Sequence, residues 1–560
     1  MVDVENVTKI GNVRLDFSDY VGQDLYSDGT IEDIILECVK ENKVEETLKT
    51  STNWAILYHL SDIRKNLLEG FAFSGKEQVL EIGSGCGALT GVLADKAEHV
   101  TCVELSKKRS EINAYRNKDY GNIEIKVGNF QTIEKKLSQY DVITLIGVWE
   151  YAASYIKHEN PYSEFIRMIK GHLKKDGVII IAIENKMGIK YWNGALEDHT
   201  YKQYSGLNDY SNNETVRTFS KLEIEGILKK QGITNFSFYY PLPDYKIANE
   251  IYSDDYMPIM GAIRTFRTNY SSTQIYNFND AIMWDQICSD GMFPYFANSF
   301  LVMIGKTDGK ILYVKYNQER KLQYRIATKI VVREGKKQVI KYPLCQEAKL
   351  HVRRIFENAE CLAEQSGCVR YVNGDLNQDM FVSDYIEGES LEGLLFQYRH
   401  DPLKLILAIK EIVLKVYNDN MNETQDFICT DSFKEVFGNE YPKNKRCRRY
   451  TNIDEIFQNM IIRNQKIYVF DCEWVFDFPI PIEYVTWRAI YMVYDKFNPY
   501  LMNKITKTEF LEQCGIAPKD STIYEKMERA FAEFVCGDNL NEKYLQRYVK
   551  PAIMQETRVW

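Results

Sequence analysis

A glycine-rich turn followed by a distant acid is the first group of residues in this chain that could bind a ligand. The segment 79–87 reads Val-Leu-Glu-Ile-Gly-Ser-Gly-Cys-Gly. Its apolar start is typical of a buried strand, and its glycines allow positive φ and a close approach of the backbone to a ligand. Glu104 follows about 20 residues later, where a carboxylate could accept hydrogen bonds from a ribose diol. The spacing G-x-G-x-G, rather than G-x-G-x-x-G, distinguishes this turn from dinucleotide-binding turns.

A second group of polar residues, late in the chain, has the composition of a phosphoryl-transfer site. Asp454 and Asn459 are five residues apart, and Asp471 follows the strand-like run 467–470. Transfer of a phosphoryl group from a magnesium nucleotide needs an acid beside the acceptor hydroxyl and oxygen ligands for the metal. These three residues could supply both.

Alternating strand-like and helical runs must position the first group. Helical patterns separate strand-like runs at 78–82, 99–103, 123–127, 141–146 and 178–183. This alternation predicts a doubly wound α/β domain with a parallel sheet. Asp198 and His199 follow the last of these strands, and they could act as a base, as sugar ligands or as ordinary polar loop residues.

A different pattern, which predicts a second and unlike domain, begins at Phe296. Strand-like runs at 299–304 and 311–316 flank a turn at 306–309 and predict a hairpin. A helix is predicted around 347–364, a strand at 380–385 and a long helix at 403–417.

The glycine-rich segment resembles the first motif of class I S-adenosylmethionine-dependent methyltransferases, which have a Rossmann-like α/β fold. The resemblance implies S-adenosylmethionine as the cofactor, with Glu104 on its ribose hydroxyls and Glu81 near its methionine end. Asn129 stands where the family usually has an acid beside adenine. The residues that the resemblance assigns to cofactor binding are Glu81, Gly83, Gly85, Gly87, Glu104 and Asn129.

The late segment resembles the D-x-x-x-x-N and following Asp of the protein-kinase-like fold, a two-lobed α+β domain that binds ATP and Mg²⁺. On this resemblance Asp454 would orient the acceptor hydroxyl and take its proton. Asn459 and Asp471 would bind magnesium.

Upstream segments extend the resemblance to the kinase-like fold. Lys315 matches the lysine that pairs with the phosphates, and Glu347 is its predicted ion-pair partner. Asp384 and Tyr385 lie in a segment that resembles the hinge strand beside adenine. The glycine-rich phosphate loop is missing, and the segment 296–300 stands in its place. These departures favour a small-molecule or glycan kinase over a protein kinase, and they leave a pseudokinase as an alternative.

The order of the two domains resembles the bacterial bifunctional kinase–methyltransferases that cap O-antigen polysaccharide. This resemblance implies phosphorylation of a terminal sugar and methylation of the phosphate or of a sugar hydroxyl, on a glycan acceptor that is lipid-linked or free. Polysaccharide-assembly glycosyltransferases are the implied protein partners. The alternatives are a methyltransferase of another substrate with a pseudokinase docking domain, and a scaffold with vestigial sites. The predicted parts are an N-terminal extension (1–50), the methyltransferase domain (51–245), a linker (246–290), the kinase-like domain (291–500) and a C-terminal helical extension (501–560).

Composition restricts the class of protein further. The 560 residues carry a net charge of −9, which argues against a nucleic-acid-binding protein. The longest apolar run, 178–183, is far shorter than a bilayer span, and the N-terminus does not resemble a secretory signal. The 12 cysteines include no C-x-x-C pair, which favours reduced thiols over disulfides or zinc. These observations predict a cytoplasmic protein with at most peripheral contact with the inner face of the membrane.

Overall fold

The computed structural model describes residues 6–24, 26–211, 215–264, 270, 272–306, 309–363, 369–417, 424–448, 450–537 and 547–554. The strands up to residue 253 are β1 (Val7–Ile10), β2 (Val13–Asp19), β3 (Gln78–Ile82), β4 (His99–Glu104), β5 (Ile123–Gly128), β6 (Tyr140–Ile146), β7 (Leu173–Glu184), β8 (Phe236–Asp244) and β9 (Ile247–Ser253). The helices in this part are α1 (Ile31–Lys40), α2 (Val44–Thr50), α3 (Trp54–Leu60), α4 (Asn66–Glu69), α5 (Thr90–Lys96), α6 (Lys107–Arg116), α7 (Phe130–Ile133), α8 (Ala152–Tyr155), α9 (Pro161–Gly171), α10 (Ile189–Trp192) and α11 (Lys221–Lys230).

These strands form a doubly wound sheet, as the alternating pattern predicts. Strands β2, β5, β4, β3, β6 and β7 lie side by side in that order, and each neighbouring pair is parallel. Both faces of the sheet are covered, because Val79 and Leu80 of β3 pack in two different apolar clusters. The carboxyl ends of β3 to β6 therefore meet at one edge, where ligands bind in open α/β sheets.

The second half of the chain adds further strands and most of the long helices. Its strands are β10 (Gln274–Tyr276), β11 (Ser299–Ile304), β12 (Lys310–Tyr316), β13 (Ile326–Arg333), β14 (Lys336–Pro343), β15 (Val369–Tyr371), β16 (Gly374–Asn377), β17 (Met380–Asp384), β18 (Glu389–Ser390), β19 (Gln425–Asp426), β20 (Arg446–Arg448), β21 (Thr451–Asn452), β22 (Met460–Arg463), β23 (Lys466–Val469), β24 (Val475–Phe476), β25 (Ile480–Pro481) and β26 (Ala552–Met554). Its helices are α12 (Asp280–Ser289), α13 (Phe293–Phe296), α14 (Lys349–Ala363), α15 (Leu391–Phe396), α16 (Pro402–Tyr417), α17 (Asp431–Phe437), α18 (Ile482–Leu501), α19 (Lys507–Gln513) and α20 (Pro518–Cys536).

Strand β11 corrects the predicted hairpin. Residues 299–304 do form a strand, but it lies antiparallel between β7 and β8 in the first sheet and does not pair with β12. All six residues of β11 are buried, because the strand has a neighbour on each side and apolar clusters on both faces. The segment 296–300 therefore does not cover a phosphate site.

The sheet continues from β9 into an antiparallel meander in the second half. The order is β9, β12, β13, β14, β17 and β16, so the predicted linker contributes a strand to the sheet. Helix α14 joins this meander through a small apolar cluster that includes Val352, Ile355 and Phe381. Helices α15, α16, α18 and α20 build a larger, separate apolar cluster. A strand-rich part and a helix-rich part thus follow one another.

The N-terminal and C-terminal segments both pack on the first half. Strand β2 extends the parallel sheet, and Tyr548 packs with Ile35 and Ile56 in a cluster beside α1. The predicted C-terminal helices exist as α19 and α20, and β26 then pairs with β10. Within the described residues, the helices are too short or too polar to cross a bilayer. Every described cysteine is a free thiol.

Candidate functional site

A cavity of about 630 Å³ opens at the carboxyl ends of β3, β4, β5 and β6. Its walls combine the predicted cofactor residues with residues that follow β6 and β7. The lining residues include Gly83, Gly85, Glu104, Asn129, Glu150 and His199. The cavity has the size of small-molecule sites in proteins, which run from about 300 to 1,000 Å³.

The glycine turn has two positions that form the cavity and one that does not. Gly83 and Gly85 both adopt positive φ, +71° and +53°. A Cβ on Gly83 would lie 2.4 Å from Cγ2 of Val148, whereas a Cβ on Gly85 would meet nothing within 4 Å. Gly87 is required for packing instead, because a Cβ there would lie 2.3 Å from Oδ1 of Asn113. Gly87 does not line the cavity, and its contact with the cofactor stays a prediction.

Glu104 is buried at the end of β4 and is held by the glycine turn itself. Its Oε2 accepts a hydrogen bond from the backbone N–H of Gly85 at 2.7 Å, and its Oε1 accepts one from the N–H of Ser106 at 3.0 Å. These bonds fix both oxygens at the wall of the cavity. The carboxylate is thus pre-oriented for a diol, as the spacing of residues predicts.

Glu81 is a buried residue of the same cavity wall. Thr90 donates its hydroxyl hydrogen to Oε2 of Glu81 at 2.6 Å. Burial raises the pKa of Glu81 to about 7. Asn129 also lines the cavity, and its Oδ1 caps α7 by accepting the N–H of Gln131 at 2.9 Å.

The N-terminal extension contributes a wall that the sequence did not reveal. Tyr26 and Asp28 line the cavity, and Asp28 contacts a histidine and an arginine. Its Oδ2 lies 2.8 Å from Nε2 of His59 and 2.7 Å from Nη2 of Arg109. Burial lowers the pKa of His59, and the hydrogen bond to His59 lowers that of Asp28. The segment before α1 therefore belongs to the site, although it carries no recognisable motif.

Three acidic and basic side chains converge in the corner that follows β6 and β7. One atom each of Glu150, Glu184 and His199 lies within 4.8 Å of the others. Tyr151 shares a hydrogen bond of 3.1 Å with Nδ1 of His199. Burial, together with Glu184, raises the pKa of Glu150 to about 8. Burial alone would lower the pKa of His199, but the neighbouring carboxylate of Glu184 raises it to about 9.

Asp198 does not act as a free base, contrary to one of the sequence interpretations. Its two oxygens lie 2.6 Å from Nζ of Lys246 and 2.9 Å from Nζ of Lys190. Burial alone would raise the pKa of Asp198, but the two lysines hold it well below its usual range. The residue anchors the loop that carries His199, and that is a positioning role.

The second group of residues meets in the other half of the chain, but around a different lysine from the one predicted. Nζ of the buried Lys341 on β14 lies 2.5 Å from Oδ1 of Asp471. Asp454 is buried nearby, and burial together with Asp471 raises its pKa to about 7. Nδ2 of Asn459 donates to the backbone carbonyl of Asp454 at 3.1 Å. Four polar groups thus gather between the meander and the helix-rich part.

Lys315 does not belong to this group. Its side chain on β12 is half-exposed and lies 3.8 Å from Glu250 of β9. Lys341 takes the place that Lys315 was predicted to hold, because β14, not β12, faces Asp471. Glu347 is exposed in a turn before α14, so the predicted Lys315–Glu347 ion pair is also wrong.

The predicted hinge residues lie at the end of β17. Asp384 is exposed there, and the Tyr385 ring lies edge-on to the ring of Tyr256, 6.4 Å away between centroids. The backbone N–H of Tyr385 donates to the carbonyl of Lys337 at 3.2 Å. Their contact with a nucleotide stays a prediction.

Behind Asp471, a buried ion cluster fixes the segment that carries it. Glu473 contacts the guanidinium of Arg320, and its Oε1 lies 2.8 Å from Nε2 of His351 on α14. Burial alone would raise the pKa of Glu473, but Arg320 and His351 hold it well below its usual range. Glu473 therefore ties α14 to the Asp471 segment, a link that the sequence did not suggest.

Comparison with known proteins finds methyltransferases for the first half of the chain. Residues 54–237 match the family model of a methyltransferase domain. Ribosomal RNA small subunit methyltransferase A of Malacoplasma penetrans is 31% identical over 117 residues, 21% of this chain and 42% of that protein. Ubiquinone biosynthesis O-methyltransferase of Rickettsia felis is 26% identical over 176 residues, 29% of this chain and 68% of that protein. The chain therefore spans less than half the length of the first of these relatives.

Solved structures of methyltransferases are also similar to part of the chain. Phosphoethanolamine N-methyltransferase 1 of Haemonchus contortus, in complex with phosphoethanolamine and S-adenosylhomocysteine, is 15% identical. The similarity covers 51% of this chain and 52% of that one, with a TM-score of 0.27.

The family match and the geometry of the first half agree. The matched residues contain the parallel strands β3 to β7, the glycine turn and Glu104. The segment 54–237 thus matches the model of a methyltransferase domain and has a Rossmann-like α/β fold.

Proposed function

We propose that this protein transfers a methyl group from S-adenosylmethionine to an oxygen acceptor. The observation that carries the proposal is the cavity at the ends of β3 to β6, in which Gly85 leaves open space beside the fixed carboxylate of Glu104. The match of residues 54–237 to a methyltransferase domain supports the same conclusion.

The residues of the cavity fit this cofactor in their chemistry. Glu104 presents two oriented oxygens to a ribose diol, and the amide of Asn129 can donate a hydrogen bond to the adenine ring. When bound, S-adenosylmethionine supplies a methyl group on a sulfonium, which is transferred by in-line displacement to a positioned nucleophile. Glu150 and His199 lie on the same cavity wall and would position the acceptor.

Binding of S-adenosylhomocysteine, measured by titration calorimetry, tests the proposal directly. We expect one site per chain in the wild-type protein and weaker binding in Gly85→Val, because the new side chain would enter the cavity. Glu98→Gln is a control directly before β4, since Glu98 is exposed and lies outside the cavity. Undetectable binding to the folded wild-type protein would refute the proposal.

ATP-dependent phosphoryl transfer is a second proposed function, for the second half of the chain. It is supported by the convergence of Lys341, Asp454, Asn459 and Asp471. The meander carries Lys341, and helix α14 supports the segment that contains Asp471. Asp471 and Asn459 would hold Mg²⁺, Lys341 would pair with the nucleotide phosphates, and Asp454 would orient the acceptor hydroxyl. Their carboxylate, amide and ammonium groups fit a magnesium nucleotide.

Nucleotide binding distinguishes this proposal from a docking domain without activity. We expect Mg²⁺-dependent binding of ATP in the wild-type protein and loss of it in Lys341→Met, with no change in Lys315→Met. Equal effects of the two substitutions would contradict the assignment of Lys341.

Together the two activities would phosphorylate and methylate a terminal sugar of a bacterial surface polysaccharide. The resemblance of the domain order supports this role, with a glycan acceptor and a location at the cytoplasmic side of the membrane. Mass spectrometry of a glycan acceptor incubated with both cofactors would detect an added phosphate, an added methyl group or both. A methyl group without any phosphate would favour the alternative, a methyltransferase with a docking domain.

A further inference from the structure

The corner formed by Glu150, Glu184 and His199 contains three buried ligand atoms that make no hydrogen bond. Oε2 of Glu150, Oε2 of Glu184 and Nε2 of His199 are all buried without a hydrogen bond. The last two face each other at 3.5 Å. Buried polar atoms are normally hydrogen-bonded. Here Oε2 of Glu150 has no such partner, and the other two atoms have only their ion pair with each other, which requires a cause.

The other atoms of the same side chains are held in position from behind. Tyr151 bonds Nδ1 of His199 at 3.1 Å, and Tyr245 donates to Oε1 of Glu184 at 3.3 Å, where Nζ of Lys246 also makes contact. Metal-binding histidines and carboxylates usually have such outer partners, which orient the free atom toward the ion.

The charges around this corner leave room for a cation. Ion pairs join Glu184, Asp198 and Asp244 to only two lysines, Lys190 and Lys246. Glu150 adds a fourth carboxylate at the end of this network. Four carboxylates thus face two lysines and one imidazole, and a divalent cation would add positive charge among them.

We infer that Glu150, Glu184 and His199 bind a divalent cation of the Mn²⁺ or Zn²⁺ class. One imidazole nitrogen with two carboxylate oxygens suits these ions better than Ca²⁺, which prefers oxygen alone. Glu150 and His199 line the cavity, so the ion would face the acceptor there and hold an anionic or polarised oxygen. This role rests on the proposed methyl transfer, whereas binding of the ion does not.

Binding of Mn²⁺ alone, followed by electron paramagnetic resonance and calorimetry, tests the inference. The experiment uses the full chain with Asp471→Asn and without nucleotide, so that the second proposed metal site does not contribute. We expect one Mn²⁺ per chain. Loss of an outer partner typically costs 10- to 100-fold in metal affinity, so removal of a ligand in Glu150→Gln should cost at least about 100-fold.

Two controls make the result decisive. Glu134→Gln changes the partly buried partner of another histidine, His172, and should leave Mn²⁺ affinity unchanged. If thermal unfolding shows that Glu150→Gln does not fold, His199→Gln replaces it. Absence of stoichiometric binding up to about 1 mM Mn²⁺, or equal affinity in Glu150→Gln, would overturn the inference. Binding of S-adenosylhomocysteine in the same samples reports separately on the proposed function.

Discussion

Replacement of Glu104 by glutamine tests whether one carboxylate both shapes the glycine turn and binds the cofactor. In the structure its oxygens accept the N–H groups of Gly85 and Ser106. Glutamine offers one oxygen and one NH₂ group, so one of these backbone donors would face another donor. Loss of a hydrogen bond to a charged group costs about 1.5–3 kcal/mol, which corresponds to roughly 10- to 150-fold in affinity.

Calorimetry with S-adenosylhomocysteine and thermal unfolding should be measured on the same Glu104→Gln protein. We expect weaker binding by that factor, with a lower melting temperature because the turn loses a bond even without ligand. Glu98→Gln should change neither quantity. A folded Glu104→Gln protein with affinity within about threefold of wild type, less than 1 kcal/mol, would refute the role of Glu104.

Other predictions concern stability, nucleotide chemistry and packing. Burial raises the pKa of Glu81 from 4.5 to about 7, so the folded state holds this proton more tightly than the unfolded state. The free energy of unfolding should therefore fall by about 3 kcal/mol as the pH rises from 4.5 to about 7. Glu81→Gln should remove this pH dependence of the free energy of unfolding, as measured by urea titrations from pH 4 to 8. An unchanged pH dependence in the variant would contradict the assignment to Glu81. Lys341→Met should abolish phosphoryl transfer from radiolabelled ATP while Lys315→Met retains it, and the reverse result would restore Lys315. Gly87→Ala should lower the melting temperature because of the contact with Asn113, and undiminished stability would show that the turn can relax.

The sequence brought together most of the residues that line the first cavity, because its signals are local. The glycine turn, the preceding strand Gln78–Ile82 and the acid at the end of the next strand all lie within about 30 residues, one βαβ unit. A parallel sheet brings such strand ends to one edge without further information. The same logic does not separate Gly87 from the other two glycines, because a glycine required by packing looks the same in sequence as one that lines a cavity.

Features that depend on distant pairing could not be read from the sequence. Apolar runs identify β11 and β12 as strands but do not say which strands they join, and β11 enters the first sheet. Strand pairing also decides which strand faces Asp471. The sequence alone therefore did not show that this strand is β14, with Lys341, and not β12, with Lys315. Asp28 and Tyr26 were missed for a different reason, since an acid and an aromatic residue in an irregular segment carry no pattern.

The corner formed by Glu150, Glu184 and His199 suits an anionic oxygen as methyl acceptor better than a neutral hydroxyl. A hydroxyl needs a base, which is worth about 10²- to 10⁴-fold, whereas a phosphate oxygen needs only placement by cations. Asp198 is not free to act as a base, because two lysines hold it. A cation bound by Glu150, Glu184 and His199 would likewise leave none of those three side chains free as a base. Phosphorylation should therefore precede methylation. In the Asp471→Asn variant, methylation of the unmodified glycan should disappear and should return on a chemically phosphorylated glycan, as measured by transfer of a radiolabelled methyl group. Methylation of the unmodified glycan by this variant would show instead that the methyl group goes to a hydroxyl.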